Sequence, residues 1–115
     1  MSIVYVVQNT HQLDLATGIL TPRFDLSSAE QFGELIFLLP PSAKPFNSER
    51  VISTLKTNLT DFSNNDYLLL IGNPCLVGFA VAIAADANNG SVKLLQWNMT
   101  ENHYLVVEAK DIFFT

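Results

Sequence analysis

The stretch YLLLIGNPCLVGFAVAIAA, from Tyr67 to Ala85, runs for nineteen residues without a charged side chain. That length is close to the roughly 20 apolar residues that a membrane-spanning helix needs. Gly72-Asn73-Pro74 stands in its middle, however, where asparagine is costly in lipid and the triplet is a strong turn signal. Because proline is confined to the first turn of a helix, we interpret the stretch as a strand, a turn and a helix that begins at Pro74. We therefore expect a soluble protein.

Four further apolar runs of strand length flank this stretch. Ile3 to Gln8 is continuous rather than alternating, which is typical of a strand that is covered on both faces, and Leu35 to Leu39 is a second fully apolar strand. Val92 to Trp97 and Tyr104 to Ala109 are joined by a short turn, and this connection suits an antiparallel hairpin. We expect a sheet in which Tyr67 to Ile71 is the central strand.

Two small elements are expected between the first two strands. Thr17-Gly18 lies between short apolar pieces and indicates a small hairpin or a surface excursion over Asp14 to Asp25. Ser27, with Glu30 three residues later, forms a capping-box pattern, which predicts a short helix around Ser28 to Phe32.

Two longer helices are expected further along the chain. Asn47 or Ser48 caps the first, whose large apolar residues fall at helical spacing. These residues are Val51, Ile52, Leu55, Leu59 and Phe62. Asn73 caps the second, which runs from Pro74 to about Ala87 and is stopped by Asn88-Asn89-Gly90.

Apolar strands that alternate with helices are typical of a parallel sheet with helices on its faces. The last two strands add an antiparallel edge to that sheet. We therefore predict an α/β fold, built as a single small three-layer domain over residues 1–115. It has a mainly parallel sheet and a C-terminal antiparallel hairpin.

The composition of the 115-residue chain excludes several classes of protein. Hydrophobic residues make up 49% and charged residues only 15%, which excludes intrinsic disorder. Six Lys and Arg against eleven Asp and Glu give a net charge of −5, so no nucleic-acid partner is expected. The single cysteine excludes an internal disulfide framework and a cysteine-rich zinc site. The N-terminus lacks the basic segment and cleavage site of a secretory signal, and no membrane partner is expected.

Ligands of open α/β sheets bind beyond the carboxyl ends of the strands, near the point where the strand order reverses. In this sequence those ends are Asn9-Thr10-His11, Pro40-Pro41-Ser42 and Gly72-Asn73-Pro74-Cys75. There we expect a small anion such as a phosphate, held with the help of free backbone N–H groups at a helix N-terminus. The residues predicted to bind it are Asn9, Thr10, His11, Gly72 and Asn73.

Two observations weigh against that site. Asn-Pro is a common way for a helix to begin, so Asn73 is alternatively a helix cap without a ligand contact. The glycines from Gly72 to Gly78 have neither the Gly-x-Gly-x-x-Gly nor the Gly-x4-Gly-Lys-Ser/Thr spacing, so a nucleotide site is only weakly indicated.

No catalytic residue, metal site or cofactor is predicted. His11 and His103 have no neighbouring ligand at metal-binding spacing, and no Gly-x-Ser-x-Gly elbow is present. A small hydrolase with His11 as its base is therefore the weakest alternative. Cys75 lies just inside a helix N-terminus, a position that can activate a thiol, but the apolar residues around it indicate burial and a structural role.

The helix from Pro74 to Ala87 is apolar on all sides, and a helix without a polar face is buried on more than one side. The short helix at Ser28 and the N-terminal hairpin could cover its outer surface. A second copy of the chain could do so equally, because small residues such as Gly78 and Ala82 allow close approach. A homodimer is therefore one of two expected arrangements.

Two sets of segments resemble a known group of proteins. The first set is Val4-Tyr-Val-Val-Gln-Asn-Thr-His11, Phe24-Asp-Leu-Ser27 and Glu34-Leu-Ile-Phe-Leu-Leu39. The second set is Asp66-Tyr-Leu-Leu-Leu-Ile-Gly-Asn-Pro74, Ala82-Ile-Ala-Ala-Asp86, Asn88-Asn-Gly90 and Lys93-Leu-Leu-Gln-Trp97. Together they resemble short uncharacterised proteins of tailed bacteriophages, marine ones included. The resemblance covers nearly the full length and implies a phage origin and action in the host cytoplasm, but it implies no particular reaction.

Two functions are expected from these features. The first is that of a non-catalytic phage accessory protein that binds a host or phage protein, which suits the small size, the acidic surface and the lack of a catalytic motif. The alternative is a domain that binds or sequesters a small ligand or nucleotide in the crevice at the strand ends.

Overall fold

The computed structural model describes residues 1–22 and 26–114, and at 11–13 and 20–22 it describes the backbone alone. Its strands are β1 (Ile3–Gln8), β2 (His11–Leu13), β3 (Leu20–Pro22), β4 (Glu34–Leu39), β5 (Tyr67–Leu69), β6 (Val92–Asn98) and β7 (His103–Ala109). Its helices are a 3₁₀ helix (Ser27–Phe32) and two α-helices, α1 (Ser48–Asn58) and α2 (Pro74–Ala87). All the predicted strands and helices are present. The strand β5 ends two residues earlier than expected, and α1 ends before two of the apolar positions assigned to it, Leu59 and Phe62.

Five strands form the main sheet, in the order β4-β1-β5-β6-β7. The strand β1 pairs in parallel with β4 and with β5, and β5 pairs in parallel with β6. The last strand, β7, is antiparallel to β6 and places Tyr104 opposite Trp97. The predicted α/β fold is therefore confirmed, with a mainly parallel sheet, a C-terminal antiparallel hairpin and β5 in the centre. The strands β2 and β3 form a separate antiparallel hairpin around Thr17-Gly18, which is one of the two expected alternatives. Its first strand lies before Asp14, where the predicted range began, and residues 23–25 of that range lie outside the described residues.

The strand order reverses at β1. The chain leaves β1 for β4 on one side and then crosses to β5 on the other side. Crossover connections between parallel strands are almost always right-handed. Connections that run in opposite directions across a sheet therefore lie on its opposite faces. Accordingly, the 3₁₀ helix packs on one face of the sheet, and α1 and α2 pack together on the other face.

The side chains of β1 alternate between two apolar cores. Tyr5 and Val7 are buried in the larger core, on the face that α1 and α2 cover. Val4 and Val6 are buried in the smaller core, together with Ala29 of the 3₁₀ helix. Coverage on both faces explains why β1 is a continuous apolar run rather than an alternating one.

The 3₁₀ helix does not use the predicted capping box. It begins at Ser27, so the N-cap position is occupied by Leu26, whose side chain makes no capping hydrogen bond. The expectation that Ser27 and Glu30 form a capping box was therefore wrong, because Ser27 lies inside the helix rather than before it. Gly33 ends the helix as expected.

The sheet and α1 cover much of the surface of α2, and cover of the remaining surface by a second copy of the chain stays a prediction. Its buried residues are Leu76, Ala80, Ala84 and Ala85, which lie in the core shared with α1 and the sheet. The 3₁₀ helix lies on the opposite face of the sheet and does not provide this cover. The exposed residues are a narrow stripe of Cys75, Gly78, Ala82 and Asp86, together with Pro74 and Ala87 at the two ends of the helix. The predicted burial of Cys75 was therefore wrong. No described helix has the length and apolar character needed to cross a membrane.

Candidate functional site

An open crevice of about 940 Å³ lies at the carboxyl ends of β1, β5 and β6, and we call it the strand-end crevice. It includes the point where the strand order reverses, between β1 and β5, at which open α/β sheets bind ligands. The described residues that line it are Gln8, Thr10, Ser28, Pro41, Ala43, Lys44, Leu69, Leu70, Ile71, Gly72, Asn73, Pro74, Leu95, Gln96, Trp97 and Tyr104. Small-molecule sites commonly span about 300–1,000 Å³, so the crevice is large enough for a metabolite.

Gln8 ends β1 and holds the rim of the strand-end crevice together. Its buried side-chain Nε2 donates to the carbonyl oxygens of Pro40, Pro41 and Ala43 at 3.2, 3.3 and 3.0 Å. Its Oε1 accepts a hydrogen bond from the backbone N–H of Asn73 at 3.0 Å. One amide thus ties the loop after β4 and the start of α2 to the end of β1.

Gly72 allows the loop after β5 to pass directly over Gln8. Its φ of +135° is rarely adopted by residues with a side chain, and a Cβ there would lie 2.7 Å from the Cβ of Gln8. Both the backbone conformation and the available space therefore require glycine. The role of Gly72 is to shape the crevice.

The first backbone N–H groups of α2 are engaged within the protein. Asn73 Oδ1 accepts a hydrogen bond from the N–H of Cys75 at 2.9 Å, so Asn73 caps the helix as predicted. The N–H of Asn73 donates to Gln8, and Pro74 has no N–H to offer. The expectation of free N–H groups at this helix end therefore does not hold for Asn73 and Cys75. What this helix end offers to an anion is therefore mainly its dipole.

The described lining of the strand-end crevice carries one charged side chain, that of Lys44. The lining contains no Asp or Glu among residues 1–22 and 26–114, although acidic residues outnumber basic ones by eleven to six in the whole chain. Lys44 is exposed, and it lies on the proline-rich loop that Gln8 holds through Ala43. The described part of the lining therefore carries positive charge in an acidic protein.

Two aromatic side chains form part of the wall. Trp97, near the end of β6, is 41% exposed, and Tyr104 opposite it on β7 is buried. Their ring centroids are 4.9 Å apart, with an angle of 70° between the rings. This edge-to-face contact is favourable and restrains the Trp97 ring.

Three of the five predicted binding residues, Thr10, Gly72 and Asn73, line the strand-end crevice. Thr10 Oγ1 is buried and has no hydrogen-bond partner among the described residues. Asn9 is half-buried and is not among the described lining residues. His11 begins β2, and its side chain lies outside the described part of the chain.

Among the described residues, the remaining chemically reactive side chains do not form a second site. His103 Nε2 lies 3.2 Å from Glu101 Oε2 in an exposed pair. Within the part of the chain that the structure describes, no group of three or more His, Cys, Asp or Glu residues could hold a metal ion.

Sequence reasoning missed Gln8, Lys44 and Trp97. The strand-end rule could have found Trp97, because β6 is parallel to β5 and its carboxyl end meets the same edge of the sheet. Gln8 carried a weaker signal, as a polar residue at the end of a strand that was expected to be covered on both faces. Nothing in the sequence indicated that Lys44 would line the crevice, apart from its position shortly after Pro40-Pro41.

The chain was also compared with known proteins. No curated protein and no solved structure matches it. Residues 2–111 match a family described as Phage Pam3 gp32-like protein. The match covers nearly the whole chain and confirms the phage relationship that the sequence resemblance indicated. The chain belongs to the Phage Pam3 gp32-like protein family.

Proposed function

We propose that this phage protein binds a small anionic ligand in the strand-end crevice, without catalysis, in the host cytoplasm. The observation that carries the proposal is the charge of the described lining, where Lys44 is not opposed by a carboxylate in a chain of net charge −5. The buried hydroxyl of Thr10 supports it, because a ligand would provide the hydrogen-bond partner that the described residues do not.

The expected interaction energies make the charge of Lys44 the main attraction for an anion. A unit charge at about 4 Å contributes ~1 kcal/mol in bulk water and ~4 kcal/mol at the effective dielectric constant near a protein surface. The dipole of α2 adds about 0.3–1 kcal/mol at an exposed position. Removal of the Lys44 charge is therefore expected to weaken anion binding by about fivefold or more.

The test is isothermal titration calorimetry with inorganic phosphate, pyrophosphate and ribose 5-phosphate. The variants are Lys44→Gln and, as a matched control, Lys56→Gln, because Lys56 is an exposed lysine on α1 outside the strand-end crevice. We expect at least one of these anions to bind, more weakly to Lys44→Gln and with unchanged affinity to Lys56→Gln. The proposal fails if none of them binds, or if the two variants bind alike.

A protein partner is a second candidate, and the open edge of β7 favours it. This strand ends the sheet, and Leu105, Val106 and Val107 are 42%, 45% and 44% exposed, so apolar side chains emerge on both faces. An exposed apolar edge strand can pair with an extended segment of another protein. The partner would be a host or phage protein, or a second copy of this chain as a homodimer.

Val106→Lys tests this second candidate, because a lysine on an edge strand disfavours pairing. Val106→Thr is the control, since it keeps the branched side chain and the strand preference. We expect light scattering to show a dimer, or purification from host lysate to retain one stoichiometric protein. Either result should be lost in Val106→Lys and kept in Val106→Thr. Equal behaviour of the two variants would exclude this edge.

A further inference from the structure

Trp97 gives the strand-end crevice a feature that binding of a simple anion does not require. It lies near the carboxyl end of β6 and lines the crevice with about two-fifths of its side chain exposed. An indole in that position leaves part of its apolar ring in water in the absence of a ligand. Exposed aromatic rings in crevices are the surfaces on which planar ring systems stack.

The orientation of Trp97 is set before any ligand arrives. Tyr104 holds the indole in an edge-to-face contact at 4.9 Å, and Tyr104 is itself buried. The two residues are directly opposite each other in the β6–β7 ladder, so the backbone fixes their relative position. A restrained ring loses little conformational entropy on stacking, which favours binding.

Polar side chains in the same lining could hydrogen-bond the edge of a planar ring. Ser28 supplies a hydroxyl from the 3₁₀ helix, on the face of the sheet that carries Trp97, and Gln96 lines the crevice from the opposite face of β6. Lys44 provides positive charge in the same crevice. The lining thus combines a surface for stacking, groups for edge recognition and a cation.

We infer that the anionic ligand of the strand-end crevice carries a heteroaromatic ring, as a nucleoside monophosphate does, and that this ring stacks on Trp97. The inference rests on the proposed function, because the anionic group is the part that Lys44 attracts. It adds the chemical class of the ligand, which the charge of the crevice alone does not define.

The experiment compares nucleoside monophosphates with ribose 5-phosphate, which keeps the sugar and the phosphate but lacks the base. AMP, GMP, CMP and UMP are titrated separately into the intact chain by calorimetry. Stacking of one base on an aromatic side chain corresponds to about a 5- to 150-fold gain in affinity. We expect at least one nucleotide to bind more tightly than ribose 5-phosphate by a factor in that range.

Trp97→Ala should remove the gain in affinity of the nucleotides over ribose 5-phosphate, whereas Trp97→Phe should keep part of the gain. Because Trp97 is the one tryptophan in the sequence, its fluorescence and its indole N–H signal also report stacking in the unaltered protein. If ribose 5-phosphate binds as tightly as every nucleotide, or if the indole signal does not change when a nucleotide binds, the inference is wrong and the proposed function stands. If none of these phosphates and no inorganic anion binds, both are wrong.

Discussion

The side-chain oxygen of Gln8 accepts a hydrogen bond from the backbone N–H of Asn73 at 3.0 Å, across 65 residues of sequence. This bond joins the end of β1 to the start of α2 at the point where the strand order reverses. The other end of the same amide donates to three carbonyl oxygens of the loop after β4. Gln8 therefore determines the shape of the strand-end crevice by holding the loop after β4 and the start of α2 in place.

Gln8→Glu is expected to destabilise the fold. The substitution keeps the acceptor for Asn73 but places a carboxylate oxygen against the three carbonyl oxygens. Unsatisfied buried polar groups cost about 1–3 kcal/mol each, so we expect a loss of about 2 kcal/mol or more in the free energy of unfolding. Urea denaturation measures it, with Gln31→Glu as the control because Gln31 is exposed. Equal stability of the two variants would contradict the role assigned to Gln8.

Asn73 and Asn47 offer a matched pair for the helix caps. Both occupy N-cap positions, but only the side chain of Asn73 accepts a hydrogen bond from its helix. Asn73→Ala should therefore lower the free energy of unfolding by about 1 kcal/mol, and Asn47→Ala should lower it much less. Thermal and urea unfolding of the two variants check this difference. A larger loss for Asn47→Ala would show that the capping geometry is misassigned.

Asp66 fixes the start of β1. Its buried carboxylate accepts hydrogen bonds from the N–H of Ile3 at 3.0 Å and from the N–H and hydroxyl of Ser63 at 2.9 and 3.1 Å. Asp66→Asn exchanges one acceptor oxygen for a donor, and we expect a loss of about 1–3 kcal/mol in stability. Asp86→Asn, on the exposed stripe of α2, should change stability by less than about 0.5 kcal/mol. Chemical denaturation distinguishes the two, and comparable losses would contradict the anchoring role.

Tyr5 makes the fold sensitive to alkaline pH. Burial, followed by the nearby charges of Asp66 and Asp61, raises the pKa of Tyr5 above its ordinary value of 10.0. The unfolded chain therefore releases the Tyr5 proton at lower pH than the folded chain does. The stability that neutral Tyr5 contributes is complete below about pH 10 and is lost as the pH rises through the folded pKa.

The free energy of unfolding should consequently fall more steeply between about pH 9 and 11 in the natural chain than in Tyr5→Phe. This variant keeps the ring that packs on Phe62 at 5.7 Å between centroids. Urea denaturation across that range gives both slopes, and parallel slopes would show that Tyr5 does not ionise differently in the two states.

The features predicted correctly from the sequence depend on neighbouring residues. Asn73 and Pro74 define the start of α2. The capping side chain of Asn73 and the N–H group that donates to it, that of Cys75, are only two residues apart. Gln8 could not be identified in this way, since its partners lie 32 to 65 residues away in the chain. The burial of Cys75 was predicted wrongly because a helix that is apolar on all sides has no periodicity to show which side faces the sheet.

The location of ligand binding tests the central claim most directly. Backbone amide signals of the isotope-labelled chain can be followed by NMR during titration with ribose 5-phosphate. We expect the largest shifts at Thr10, Gly72 and Gln96, which lie on three different strand ends of the strand-end crevice, with small shifts along Leu105–Val107 of β7. Saturable shifts centred on β7, or no saturable shift for this or any other small anion, would contradict the account.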